Sequence, residues 1–185
     1  MIAAGPWSGE VAALAGIALP VEPRRRSVFV FDCRERLPPL PLTIDPSGVW
    51  FRPEGRFYLA GTTPAEGNDP PGALLEVQHQ EWDDMVWPVL AERAPAFEAA
   101  KVVQSWAGYY EYNTFDQNGI VGRHPGIDSL IFATGFSGHG IQQSPAVGRA
   151  VAERIAHGRY VGLDLAALGF ERLIGGQPLR ERAIV

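Results

Sequence analysis

Cysteine is nearly absent from this chain: Cys33 is the only one, which excludes an internal disulfide and any zinc site built from thiolates. Histidine is scarce too. His79, His124, His139 and His157 show no paired ligand spacing, so no metal centre is expected. No apolar run approaches the roughly 18 residues needed to span a bilayer, and nothing resembles a secretory leader, which makes the cytoplasm or an organelle matrix the expected setting. Positive charge is not in excess, since the formal net charge is -5, and a nucleic-acid partner has no electrostatic basis. Also missing is the Gly-x-Gly-x-x-Gly spacing that brings a helix N-terminus onto a dinucleotide pyrophosphate.

What is present is an ordinary globular composition, 185 residues with 46% hydrophobic, long enough to bury about 70% of the unfolded surface if it folds alone. One stretch points at chemistry. Residues 130–145 read Leu-Ile-Phe-Ala-Thr-Gly-Phe-Ser-Gly-His-Gly-Ile-Gln-Gln-Ser-Pro and run into an amphipathic segment ending at Gly158. The apolar run suits a buried strand. Gly135, Gly138 and Gly140 permit backbone conformations closed to other residues and a close approach to a ligand. Ser144 is placed to cap a helix with Pro145 at its first position, and Val147, Val151 and Ile155 recur every four residues along one face. A helix start gathers unpaired N–H donors and partial positive charge, which favours an anionic ligand atom by roughly 0.3–1 kcal/mol at an exposed site.

The rest reads as helix, strands and helix again. Ile2-Ala3-Ala4-Gly5 looks like the end of a buried strand whose beginning is missing, and residues 6–15 like a short helix with Val11 and Leu14 on one side. Residues 26–31 are strand-like, and a hairpin is expected around Arg52-Pro53-Glu54-Gly55. Residues 62–72 read as a loop and residues 74–92 as a helix interrupted or kinked at Pro88. Residues 101–112 are aromatic and β-branched, hence strand-like, and residues 116–119 supply a turn.

Two flanking segments carry a family resemblance. Ala3-Ala4-Gly5-Pro6-Trp7-Ser8 and Ala133-Thr134-Gly135-Phe136-Ser137-Gly138-His139-Gly140, separated by an Arg-rich strand and Trp106-Ala107-Gly108, resemble the C-terminal half of FAD-dependent oxidoreductases related to D-amino-acid oxidase, glycine oxidase and sarcosine oxidase. The resemblance implies a mixed α+β chain: an antiparallel-sheet substrate domain flanked by the C-terminal strand–helix units of a Rossmann-like FAD-binding domain, with the N-terminal dinucleotide-binding half missing. Residues 1–18 would end the FAD-binding domain, 19–125 form the substrate domain, 126–160 return to the FAD-binding domain, and 161–185 form a tail. It implies flavin contacts at Ala4, Gly5, Trp7, Gly135, Phe136, Ser137, Gly138, His139, Gly140, Ile141 and Gln142, with backbone amides of residues 138–142 near the pyrimidine edge of the ring.

The implied reaction takes hydride from a carbon beside an amine of a small amine or amino-acid substrate. Departures from the family pattern qualify it. Where glycine oxidase has a carboxylate-binding arginine this chain has Tyr110 or Glu111, and where sarcosine oxidases have a carboxylate-binding lysine it has Gln142. His139, Gln142 and Tyr110 are the catalytic candidates. The cysteine that carries flavin covalently in sarcosine oxidases has no counterpart near the matching strand, so FAD is expected to be non-covalent, and poorly retained by this chain alone without a separate or missing N-terminal half. The lysine that promotes reaction with oxygen in those oxidases is also absent from the matching region, Lys101 being the only lysine, which favours a dehydrogenase over an oxidase.

Plainer readings stand beside these. A glycine cluster by itself is usually a tight turn, and Trp106, Tyr109, Tyr110 and Tyr112 on a strand are more often cross-strand pairs than a pocket wall. Arg24-Arg25-Arg26 suits a solvated strand edge. Gly135-Phe136-Ser137 begins like a hydrolase nucleophile elbow, but His139 occupies the position that needs glycine. The alternative to an enzyme is a non-catalytic binding or assembly module, with hairpin edges and the tail of residues 170–185, bearing Arg172, Arg180 and Arg182, as docking surfaces.

Overall fold

The computed structural model describes residues 1–64 and 67–181. The chain divides into two compact units, one made of Met1–Arg24 together with the chain from Tyr110 onward, the other of Arg25–Tyr109. Two long strands, β1 (Val21–Asp32) and β5 (Lys101–Asn113), carry the chain from one unit to the other.

The Arg25–Tyr109 unit is built on a five-stranded sheet of order β2-β3-β4-β1-β5, with β2 Thr43–Ile44, β3 Trp50–Glu54 and β4 Phe57–Gly61. The β2/β3, β3/β4 and β4/β1 pairs are antiparallel. Alternation puts Phe29 and Phe31 of β1, Phe51 of β3, and Tyr58 and Ala60 of β4 into one core. A helical run covers them: α2 (His79–Glu81), a π turn (Trp82–Val86) and α3 (Trp87–Arg93). Trp82, Val86 and Leu90, four apart, are its buried stripe. Phe97 plugs the centre, its ring edge-on to Phe31 at 5.1 Å and to Phe51 at 5.4 Å.

Four sequence expectations need correction here. The helix expected from residue 74 starts at His79, and Leu74 and Leu75 are exposed. It is not broken at Pro88, because the π turn lets the Trp87 N–H reach the Trp82 carbonyl and so re-registers the ladder just before the proline. The hairpin turn is Gly55-Arg56, with Gly55 left-handed at φ 60, while Pro53 lies in β3 opposite Tyr58, beyond the two positions at which β2 pairs, where its missing donor costs nothing. The triple arginine lies on β1 ahead of the stretch, Val28–Phe31, that β4 pairs, and it is half-buried rather than solvated. Arg24 pairs with Glu22 at 2.7 Å and lies over the Tyr112 ring, and Arg26 pairs with Asp69 at 2.9 Å.

In the other unit, β6 (Ile120–His124) and β7 (Ile127–Thr134) form an antiparallel hairpin, and Ile2 pairs with Phe132 in parallel on the far side of β7. A 3-10 turn (Gly5–Trp7) leads into α1 (Ser8–Ala13). The expected Val11/Leu14 face is exposed, Leu14 at 89%, and the buried positions are Ser8 and Ala12. Helix α4 (Gly140–His157) lays Val147 and Val151 on Val121, Ile131 and Phe136, while Ile155 is exposed, so the expected stripe stops one turn early. Gly158 ends the helix left-handed at φ 70, as its position in the sequence suggests. The start differs: α4 begins at Gly140, and Ser144 and Pro145 are internal. Pro145 cannot donate to the Ile141 carbonyl, and the Ser144 hydroxyl does so instead at 2.8 Å, which keeps the first turn satisfied. No helix among the described residues is long and apolar enough to cross a membrane.

The tail is anchored by charge. Arg172, on α5 (Glu171–Ile174), is buried and donates to Asp116 from Nε at 2.7 Å and Nη2 at 3.1 Å, and to the carbonyls of Leu168, Gly169, Asn118 and Gly119. Phe170 stacks on Phe132 at 5.1 Å. Arg172 is therefore not available as a docking residue, and Arg182 lies outside the described residues. Arg172→Ala should destabilise this unit by about 3 kcal/mol, because it strands a buried carboxylate; equilibrium urea unfolding reads this. Glu153 accepts from the Gly162 and Val161 amides and from Arg149, which lowers its carboxyl from 4.5 to about 2. A depressed carboxyl stabilises above its ordinary value, so amide protection at Val161 and Gly162 should be full above pH 4.5 and lost as pH falls to about 2, as followed by hydrogen exchange.

Candidate functional site

The glycine-rich turn lies between β7 and α4 and takes three left-handed residues: Gly135 at φ 73, Ser137 at φ 46 and Gly138 at φ 90. A Cβ on Gly138 would lie 2.8 Å from the Tyr110 ring, so only glycine fits. The Tyr110 hydroxyl donates to the Ser137 carbonyl at 2.5 Å. Ser137 pays for its strained backbone with bonds of its own: Oγ accepts the Asn113 N–H at 2.9 Å, and its N–H donates to the Glu111 carbonyl at 3.1 Å. That hydroxyl is fully buried, which removes it as a hydrolase nucleophile.

Glu111 ties the turn to the first loop of the chain. Its Oε2 accepts from the Gly135 N–H at 3.0 Å and from Thr134 Oγ1 at 3.1 Å. Thr134 Oγ1 lies 2.6 Å from the hydroxyl of Ser8, which in turn accepts the Ala4 N–H at 3.2 Å. Ser8 and Thr134 are both fully buried. A threonine hydroxyl has one proton, which goes to the carboxylate, so Ser8 donates to Thr134. Through this relay Ala4 and Gly5, the latter left-handed at φ 54, are tied to the same carboxylate as Gly135. Oε1 of Glu111 lies 3.5 Å from where a Cβ on Gly140 would stand, so a negative charge sits beside the start of α4.

The turn leaves a row of donors. Helix geometry gives the amides of Gly140, Ile141 and Gln142 no intrahelical acceptor, and no side chain caps the helix. Gly138, Ile141 and Gln142 are exposed, Ile141 at 88%. His139 occupies the N-cap position half-buried, without a capping bond from its ring. Trp7 is half exposed, and Phe136 is a core residue that packs on Val147 and Val151. Among the catalytic candidates, Tyr110 is occupied in bracing the turn, whereas His139 and Gln142 lie along the open start of α4. Cys33 lies in the other unit, its thiol on the Glu35 carbonyl and its pKa raised by burial. Among the described residues no cluster suits a metal ion.

Sequence reasoning assigned no role to Ser8, Thr134 or Asn113. The available signal was a lone hydroxyl at the end of an apolar run, Ile131-Phe132-Ala133-Thr134, opposite a carboxylate set between tyrosines.

The strand-to-helix glycine turn is tied through Glu111 to the loop at Ala4, and residues 1–154 match the family described as FAD dependent oxidoreductase, DAO. The chain belongs to that family. It is 52% identical over 198 residues to the FAD-dependent oxidoreductase domain-containing protein 1 of Xenopus laevis, covering 99% of this chain and 40% of that protein. The chain thus spans about 40% of the length of that curated relative. Among solved structures, the L-proline dehydrogenase of P. horikoshii superposes with a TM-score of 0.83 at 26% identity, over 95% of this chain and 47% of that one. The glycine oxidase of Geobacillus kaustophilus does so with a TM-score of 0.75 at 25% identity, over 90% and 43%.

Gly138→Ala should cost about 1–2 kcal/mol through its left-handed backbone and drive Tyr110 from the Ser137 carbonyl. Hydrogen exchange should show lost protection at residues 135–140, with the Arg25–Tyr109 unit unchanged.

Proposed function

We propose that this chain supplies the flavin-ring side and the substrate-recognition sheet of an FAD-dependent dehydrogenase acting on a small amine or amino acid. The observation that carries the reading is the row of uncapped amides at the start of α4, exposed beside glycines and braced by Glu111 and Tyr110. Such donors fit the N1–C2=O edge of a flavin, which becomes anionic on reduction. The chemistry FAD supplies when bound is acceptance of hydride from the carbon beside an amine, leaving an imine that water hydrolyses.

In this reading residues 1–18 and 126–160 bind the flavin, residues 19–125 recognise substrate, and Ala4, Gly5 and Trp7 meet the cofactor with residues 135–142. In this reading Gln142 contacts a substrate carboxylate, which is supported by its exposure and by Tyr110 and Glu111, at the family's arginine position, being committed to the turn. The flavin is held non-covalently. The only lysine, Lys101, is exposed on β5 of the other unit, which supports a dehydrogenase handing electrons to a carrier rather than to oxygen. The dinucleotide fingerprint is absent, so the chain by itself keeps FAD poorly. The alternative, a binding or assembly module, loses part of its surface because Arg172 and Phe170 are buried.

Purified alone, the chain should be colourless, whereas added riboflavin, which carries the ring without the pyrophosphate, should shift the NMR amide signals of residues 138–142. A riboflavin titration that leaves those amides unmoved overturns the flavin site. Purification of a stoichiometrically yellow protein overturns poor retention.

A further inference from the structure

The unit that contains α4 has a cleft lined by none of the residues of the glycine turn. It has a volume of about 620 Å³ and is walled by β6, by the segment after α4 and by the tail, with Arg123, Arg154, Arg159, Tyr160, Asp164 and Glu171 among its lining residues. That is within the usual range for small-molecule sites, roughly 300–1,000 Å³.

Among the described residues, none of its three guanidinium groups is paired with a carboxylate. Arg123 donates only to backbone carbonyls, those of Asp128 and Arg154. Arg154 donates to the Gly158 carbonyl and lies over the Tyr160 ring at 5.1 Å, and its Nε is buried with no acceptor. Arg159 is exposed and makes no hydrogen bond or ion pair among the described residues. Three guanidiniums without a carboxylate partner among the described residues line one cleft, a charge pattern that matches an oxyanion with several acceptor oxygens.

The other lining groups narrow the ligand. Asp164 accepts from the Ala166 amide, and Glu171 has no ion pair among the described residues, so both offer acceptor oxygens to the cleft. Burial pushes the Tyr160 phenol up, which keeps it a neutral donor, and Gly122, at φ 125, leaves room for its hydroxyl, since a Cβ there would come within 3.1 Å. Two carboxylates would repel a bare dianion filling this space but would accept from hydroxyl or amino groups attached to one. The volume also far exceeds that of inorganic phosphate.

We propose that this cleft binds a phosphate monoester of a nucleoside or sugar, the phosphate held by Arg123, Arg154 and Arg159 and the hydroxyl or amino groups by Asp164 and Glu171. The proposal is independent of the flavin reading, because none of these residues belongs to the glycine turn. The test uses the chain itself, titrated with AMP while the arginine Nε–Hε signals are followed by NMR. Saturable shifts at Arg154 and Arg159 are expected, with affinity falling about tenfold in Arg154→Gln, the scale of one charge-assisted hydrogen bond. Arg159→Gln serves as the second variant, because its side chain supports nothing in the fold; it should weaken AMP similarly with an unchanged amide spectrum. Adenosine should bind far more weakly than AMP. Absence of saturable shifts, equal binding of adenosine, inorganic phosphate binding as tightly as AMP, or unaltered AMP affinity in Arg159→Gln would each overturn the proposal.

Discussion

The Glu111 carboxylate is the constraint on which the candidate site depends. Gly135 must turn left-handed at the end of β7, and its N–H points away from any strand partner; without an acceptor, a group buried there costs roughly 1–3 kcal/mol. Glu111 provides that acceptor, and with the same oxygen it orders Thr134 and, through Ser8, the loop at Ala4. Two segments more than a hundred residues apart in sequence are thereby tied to one group. The other oxygen places negative charge beside the start of α4 and partly offsets the helix field there.

A second polar centre does for the tail what Glu111 does for the turn. Asn113 reaches Asp116 and the Asn118 carbonyl, Asp116 receives Arg172 and the Leu179 amide, and Arg172 closes the ring on the Asn118 and Gly119 carbonyls. Asn113 belongs to both networks, since its N–H is held by Ser137 Oγ. The two ends of the β5-to-β6 connection are therefore rigid for polar reasons, and the apolar packing of Phe132, Phe170 and Ile120 lies beside them. In the Arg25–Tyr109 unit the opposite holds: an aromatic core around Phe97 sets the architecture, and the polar contacts are peripheral.

Much of this was legible in the sequence because it depends on local rules. The apolar run before Gly135, the strand-like run at residues 26–31 and the left-handed stop at Gly158 each follow from neighbouring residues. The errors have a shared cause. Ser144-Pro145 has the residues of a helix start, yet a hydroxyl inside a helix can relieve a proline as well as it can cap, and only the tertiary position of Gly140 decides between them. Pro88 was similarly ambiguous until the π turn ahead of it was seen. Charged residues misled most. Arg172 reads as a docking residue and the triple arginine as solvated because Asp116 and Asp69, which receive Arg172 and Arg26, lie at separations no local pattern reveals, although Glu22 is only two residues from Arg24. Within the site, the glycines and the open helix start were readable, whereas the Ser8–Thr134–Glu111 relay needed the fold.

The most direct test of that relay is hydrogen exchange on Glu111→Gln, followed at the amides of Ala4 and Gly135 together. The amide replacement keeps the shape but loses the charge and can present a donor where the carboxylate only accepts. Both amides should lose protection in parallel, although they lie in loops distant in sequence. Loss at Gly135 with Ala4 unchanged would contradict it, because the two loops would then be held independently.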